Sequence, residues 1–85
     1  MNARDFKECT QRFAVRIIQF VESMPRSGIG DILYRQLLRA GTSVGANYRS
    51  ACRARSRAEF IAKMGIIEEE CDESNYWMEL LIDTV

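Results

Sequence analysis

Ser56-Arg57-Ala58-Glu59-Phe60-Ile61-Ala62-Lys63-Met64 reads as the start of a long helix. Ser56 and Glu59 form a capping box: the serine oxygen accepts a hydrogen bond from a free backbone N–H of the first turn, and the glutamate three residues on reaches back to another. The apolar stripe opens at Phe60 and runs through Met64, Ile67, Cys71, Ser74, Met78, Leu81 and Val85. This spacing of three and four is a heptad stripe, which a helix shows when it lies nearly parallel to its neighbours. At about 1.5 Å per residue, a helix over 56–85 would span roughly 45 Å.

Two more helices precede it. The only proline is Pro25, and four of the five glycines lie between Gly28 and Gly45. Pro25-Arg26-Ser27-Gly28 therefore reads as a turn. Before it, Phe6, Phe13, Ile17, Phe20 and Met24 form a helical stripe over about 5–23, widened by Cys9, Ile18 and Val21. After it, Leu33, Leu37, Ala40, Val44, Asn47 and Ala51 form another over about 29–53. No segment sustains the alternation of a strand. The expected fold is all-α, a single domain over 1–85 built as an antiparallel up-down helical bundle.

Within the second helix, Gly41 and Gly45 interrupt a run of small residues. A glycine inside a helix costs about 1 kcal/mol relative to alanine. Four residues apart, the two share one face and would let another helix approach closely. That helix belongs either to the same chain or to a neighbouring subunit. Asn47 falls on the apolar stripe, where a buried amide needs hydrogen-bond partners and could fix register.

A chain of 85 residues is marginal without help from disulfides, metal or oligomerisation. Cys9, Cys52 and Cys71 are odd in number, widely spaced and preceded by no signal peptide. They read as buried free thiols in a reducing cytosol. With no histidine and no paired cysteine motif, neither a metal nor another cofactor is expected. No run approaches the length of a membrane span. Self-association remains, and the final helix supports it. It ends at Val85, still on the apolar stripe, with no cap, basic last turn or proline stop. Either a further helix is missing or a neighbour covers the exposed apolar groove. Tyr76 and Trp77 lie beside the stripe with Met78 and Leu81 and read as packing or interface anchors.

Charge cancels in sum but not in layout. All twelve Lys and Arg lie before residue 68, and seven of the twelve acids lie after 67. Folded as antiparallel hairpins, the chain gathers Arg4, Lys7, Arg12, Arg49, Arg53, Arg55, Arg57 and Lys63 at one end, with only Asp5, Glu8 and Glu59 beside them. The other end holds Arg16, Arg26, Arg35 and Arg39 with the remaining nine acids. There Arg39 lies level with Glu69, Asp72 and Glu73, and Arg35 near Asp72 and Glu79, as exposed ion pairs. The arginine-rich turn Arg49, Arg53, Arg55 and Arg57, extended by Lys63, has no such partners in the chain. Arginine binds phosphate in bidentate geometry, so this turn is the candidate contact for RNA or DNA. The competing reading is a solvated turn, or one that pairs with the acidic end of a neighbouring copy.

No catalytic constellation is present. General acid–base and nucleophilic chemistry recruit histidine or an activated nucleophile, and neither is found. The run Glu68-Glu69-Glu70-x-Asp72-Glu73 spreads around a helix and reads as a solvated or salt-bridged face. No small-molecule substrate is expected.

Leu37-Leu38-Arg39-Ala40-Gly41-Thr42-Ser43-Val44-Gly45-Ala46-Asn47-Tyr48-Arg49 resembles the helix-two signature of a bacterial family. So do Ala51-Cys52-Arg53-Ala54-Arg55-Ser56-Arg57 and Asp72-Glu73-Ser74-x-Tyr76-Trp77-x-Glu79-Leu80-Leu81. The family is the four-helix-bundle proteins first noticed as reading frames in intervening sequences of 23S ribosomal RNA genes. The resemblance covers most of the chain from Phe6 onward. It implies an up-down-up-down bundle, cyclic homo-oligomers that are often pentamers, no enzymatic activity, and kinship with the nucleic-acid-binding accessory protein of diversity-generating retroelements. Two departures accompany it. The chain ends where the fourth helix should begin, so only three helices are expected. Ser50 also stands where many members carry an acid, so any role of that acid does not transfer.

Overall fold

The computed structural model describes residues 1–84 and is all-helical, with α1 (Ala3–Ser23), α2 (Gly28–Cys52) and α3 (Arg57–Thr84). Val85, expected to close the apolar stripe, lies outside the described residues. No strand occurs among those described.

Local chemistry sets each boundary. α1 begins earlier than the apolar pattern indicates because Asn2 caps it: its Oδ1 accepts from the Asp5 N–H at 2.9 Å. Met24 leaves the helix in an extended conformation ahead of Pro25, as a residue before proline prefers. Ser27 caps α2 by accepting from the Gly30 N–H at 2.9 Å. A Cβ on Gly30 would lie 2.5 Å from that hydroxyl, so the cap itself requires glycine there. The Tyr34 hydroxyl donates to the Pro25 carbonyl at 2.9 Å and ties the turn to α2. At α3 the serine cap forms, with the Glu59 N–H donating to Ser56 Oγ at 3.0 Å, and the Glu59 carboxylate reaches back one residue past the cap, accepting from the Arg55 N–H at 3.1 Å.

The three helices run up, down and up in a rod of 44 × 20 × 16 Å. α2 is central, packed by α1 on one side and α3 on the other, while no Cα of α1 comes within 8 Å of one in α3 among the described residues. The core forms two clusters along the rod. Ile17, Tyr34, Leu37 and Leu81 fill the half nearer the α1–α2 turn. Val44, Tyr48, Ala51 and Ile67 fill the half nearer the α2–α3 turn. Buried hydroxyls use their own helices: Ser74 Oγ donates to the Glu70 carbonyl at 2.8 Å and Thr10 Oγ1 to the Lys7 carbonyl at 3.1 Å.

Gly41 and Gly45 face α1. A Cβ on Gly41 would sit 3.1 Å from Ile17 Cγ1, and one on Gly45 3.2 Å from Thr10 Oγ1. The close approach they permit is thus within the chain.

Several expectations are corrected. The α2 stripe does not run through Asn47. Tyr34 and Tyr48 are buried, whereas Asn47 is half-buried and donates to the Ser43 carbonyl of its own helix at 2.9 Å. Contact from two sides widens the buried arc of α2 beyond a single heptad line, and its tyrosines fall inside that arc. Cys9, Cys52 and Cys71 are exposed rather than buried. Cys52 is the last residue of α2, and Cys9 and Cys71 lie on the flanks of α1 and α3 that no helix covers. Phe20 (36 % exposed), Ile18 (41 %) and Phe60 (38 %) are likewise left open. The α1 and α3 stripes are broader than α2 alone can bury.

Candidate nucleic-acid interface

The antiparallel hairpins bring the N-terminus of α1, the C-terminus of α2 and the N-terminus of α3 to one end. The Phe6 and Tyr48 rings pack there with centroids 4.4 Å apart, seating the first turns of α1 on the last turns of α2. Burial, with help from the neighbouring Cys52 thiol, pushes the Tyr48 phenol above its usual range, so this prop stays neutral.

The α2–α3 turn carries the arginines. α2 tightens as it ends, with the Arg53 N–H donating to the Ser50 carbonyl at 3.1 Å and the Ala54 N–H to the Ala51 carbonyl at 3.0 Å. Arg49 and Arg53 stand where a helix C-terminus favours cations. Arg49, Arg53, Arg55 and Arg57 are all exposed, while Lys63 is half-buried. None of the five forms an ion pair with a carboxylate among the described residues. Nearby acids have other partners: the Glu59 carboxylate accepts from the Arg55 backbone, and Glu8 lies 3.6 Å from Arg4.

The site extends further than the turn. Arg49 Nη2 donates to Gln11 Oε1 at 3.3 Å across the α1–α2 crease. Lys7 lines the same crease of about 370 Å³, beside Gly45 and Ala46. Sequence analysis placed Lys7 at the basic end but outside the arginine cluster. The signal was available in Gly45 and Ala46, whose small side chains open the space that Lys7 and Arg49 border.

At the opposite end Arg26 and Arg39 are engaged. Arg26 Nε donates to Asp31 Oδ1 at 2.8 Å, and this bond holds the Asp31 carboxyl below the usual carboxylate range. Arg39 reaches Glu70 at 3.3 Å and also pairs with Glu73. Glu73 further accepts from the Trp77 indole N–H at 3.4 Å. Arg39 thus meets Glu73, as its level along the rod indicated, but Glu70 rather than Glu69 or Asp72. Arg35 forms no ion pair among the described residues.

The candidate packing residues divide. Leu81 is buried, Trp77 and Met78 are half-buried against the first cluster, and Tyr76 is exposed, edge-on to Trp77 at 5.1 Å. Partial burial, and then the charge of Glu70, raise the Cys71 thiol, which favours its neutral form. Among the described residues no group of three or more His, Cys, Asp or Glu is placed to hold a metal ion, and no helix is long and apolar enough to cross a membrane.

The fold and its sequence have known counterparts. A crystal structure of a protein of unknown function from the S23 ribosomal protein family of Bacteroides thetaiotaomicron VPI-5482 superposes with a TM-score of 0.89 at 42% identity. The match covers 99% of this chain and 75% of that one. None of the curated proteins matches. The 23S rRNA-intervening sequence protein family matches residues 5–85, and the chain belongs to that family.

Proposed function

We propose that the protein is a non-catalytic, homo-oligomeric scaffold that binds RNA or DNA backbones through Arg49, Arg53, Arg55 and Arg57. One observation carries the reading: four exposed guanidinium groups cluster at one end with no carboxylate partner among the described residues, while Arg26 and Arg39 at the other end are paired. Unpaired arginines meet phosphate without first breaking an ion pair, and their planar forks accept its oxygens two at a time. Contacts of this kind position a backbone and carry no sequence information. Several copies would multiply them through effective concentration. The protein acts as one member of an assembly of four-helix-bundle type, for which the family resemblance implies a cyclic, often pentameric, arrangement.

The test is fluorescence anisotropy of a labelled single-stranded RNA, with duplex DNA of equal length, across 50–200 mM KCl. The logarithm of the association constant should fall linearly with that of salt, by about 0.7 per neutralised phosphate for a single strand. An affinity unchanged across that range would overturn the phosphate contact. A second reading rests on the exposed acids Glu68, Glu69, Asp72 and Glu79 of α3. If the arginines pair with these in neighbouring copies and no nucleic acid is involved, alanine at all four arginines dissociates the oligomer and RNA adds nothing.

A further inference from the structure

The α1–α2 crease at the basic end, of about 370 Å³, is lined by the small residues Ala14, Gly45 and Ala46 and by no carboxylate. Both hydroxyls in it are committed to their own helices. Thr10 Oγ1 donates to the Lys7 carbonyl at 3.1 Å, and Thr42 Oγ1 donates to the Leu38 carbonyl at 2.6 Å. Three donors are left for a ligand. The Lys7 ammonium and the Arg49 guanidinium form no ion pair among the described residues. The Gln11 amide oxygen accepts from Arg49 Nη2 at 3.3 Å, which leaves the amide NH2 group of Gln11 free to donate.

A phosphodiester suits these donors, because it is anionic, accepts hydrogen bonds through two free oxygens and has no proton to give. We propose that the crease seats one backbone phosphate of a single nucleic-acid strand between Lys7, Gln11 and Arg49, and that this seat makes the protein prefer single strands to duplexes. The inference rests on the phosphate contact in the proposed function and names the form of nucleic acid it takes.

Width and charge select the strand. Packed helices lie about 8–10 Å apart, so a single strand lowers its backbone between them, whereas a duplex is broader and rests on the rims. The exposed arginines of the turn meet either form, but half-buried Lys7 is reached fully only from within the crease. Arg53 follows Arg49 by four residues, about 6 Å along α2, and stands on the same flank to receive the next phosphate. In the other direction the same pair of helices forms a hollow lined by Glu22 and Asp31, whose carboxylates repel a strand. The track therefore runs from the crease to the arginine turn and stops near the middle of the rod.

Fluorescence anisotropy tests this with a labelled single-stranded RNA, a single-stranded DNA and a duplex of the same length, on the wild-type chain, Ala46→Leu and Lys7→Gln. Ala46 is exposed, and leucine there fills the crease without changing any charge. Circular dichroism checks that both variants keep their helicity. The wild type should bind both single strands more tightly than the duplex. Ala46→Leu should weaken both single strands at least about tenfold and leave the duplex within about twofold. Lys7→Gln should flatten the single-strand salt slope by about 0.7, the share of one phosphate. A wild type that binds the duplex as tightly would overturn the seat, as would an Ala46→Leu variant that binds single strands normally or weakens all three probes alike. In those cases salt-dependent binding through the arginine turn still stands. Binding that does not depend on salt with any probe, or no binding at all, overturns the phosphate contact of the proposed function as well.

Discussion

The two ends of the rod use the same residue types for different purposes. Near the α1–α2 turn, Leu37, Ile17, Tyr34 and Leu81 make one cluster, and two of the surrounding arginines are tied down: Arg26 to Asp31, Arg39 to Glu70 and Glu73. Near the α2–α3 turn the cluster includes smaller residues such as Ala51 and Val44, and Arg49, Arg53, Arg55 and Arg57 have no carboxylate partner among the described residues. Helix content is the same at both ends. What differs is that Arg26 and Arg39 have a carboxylate opposite, whereas the four arginines of the α2–α3 turn have none among the described residues. The first end is organised to hold the bundle together, and the second leaves charge available to something outside it.

The largest effect should come from Leu37, which is 0 % exposed. Leu37→Ala is expected to lower unfolding free energy by about 2–5 kcal/mol, and Val44→Ala in the other cluster by less. Urea denaturation of both variants measures this, and the reverse order would contradict the division of labour between the ends.

Next comes replacement of Arg49, Arg53, Arg55 and Arg57 together by alanine. Stability should stay within about 0.5 kcal/mol, because these side chains are exposed and unpaired. The salt slope for single-stranded RNA should flatten by about 3. Anisotropy titrations at several salt concentrations read that slope.

Glycine substitutions probe the middle of the rod. Gly41→Val should cost about 1–3 kcal/mol, since even its Cβ would press on Ile17. Gly65 has open space around its Cα, so Gly65→Ala should stabilise by about 0.5–1 kcal/mol through helix propensity. Thermal unfolding distinguishes the two signs.

Smaller again, Arg39→Ala should cost about 0.2–1 kcal/mol, for an exposed pair, and leave RNA affinity unchanged. A loss of RNA binding in that variant would mean the paired end also meets nucleic acid. The smallest effect is in acid. The Asp31 carboxyl is held below its usual range by the Arg26 hydrogen bond. Its contribution is therefore present above the unfolded-state value and is lost as pH falls through the folded-state value. Asp31→Asn should remove that part of the acid limb in a pH-dependent denaturation series, so that its small loss of stability shows near neutrality and vanishes in acid.

Much of the fold was legible because it rests on local signals. Pro25 and Gly28 marked the first turn, the Ser56–Glu59 box marked the start of α3, and three-residue and four-residue spacings marked the apolar faces. The arginine cluster was legible for the same reason, since a hairpin turn keeps sequence neighbours together. Misreadings fell where burial depends on which helices meet. Cys9, Cys71, Phe20 and Phe60 sit on apolar stripes but are exposed. Tyr34 and Tyr48 escaped notice because amphipathic side chains give no clear sign of burial by themselves. The contribution of Lys7 was hidden because it depends on a crease between helices far apart in sequence.

Sequence by itself determined the number of helices, the cap of α3, the turn positions and the separation of charge along the chain. These follow from backbone hydrogen bonding and periodicity over a few residues. Tertiary structure decided that α2 is central, that Gly41 and Gly45 admit α1, and that Arg39 takes Glu70 and Glu73 while Arg49 takes Gln11. It also left the opening between α1 and α3. Those outcomes turn on distances between side chains of different helices, which close packing sets and periodicity along one helix does not contain.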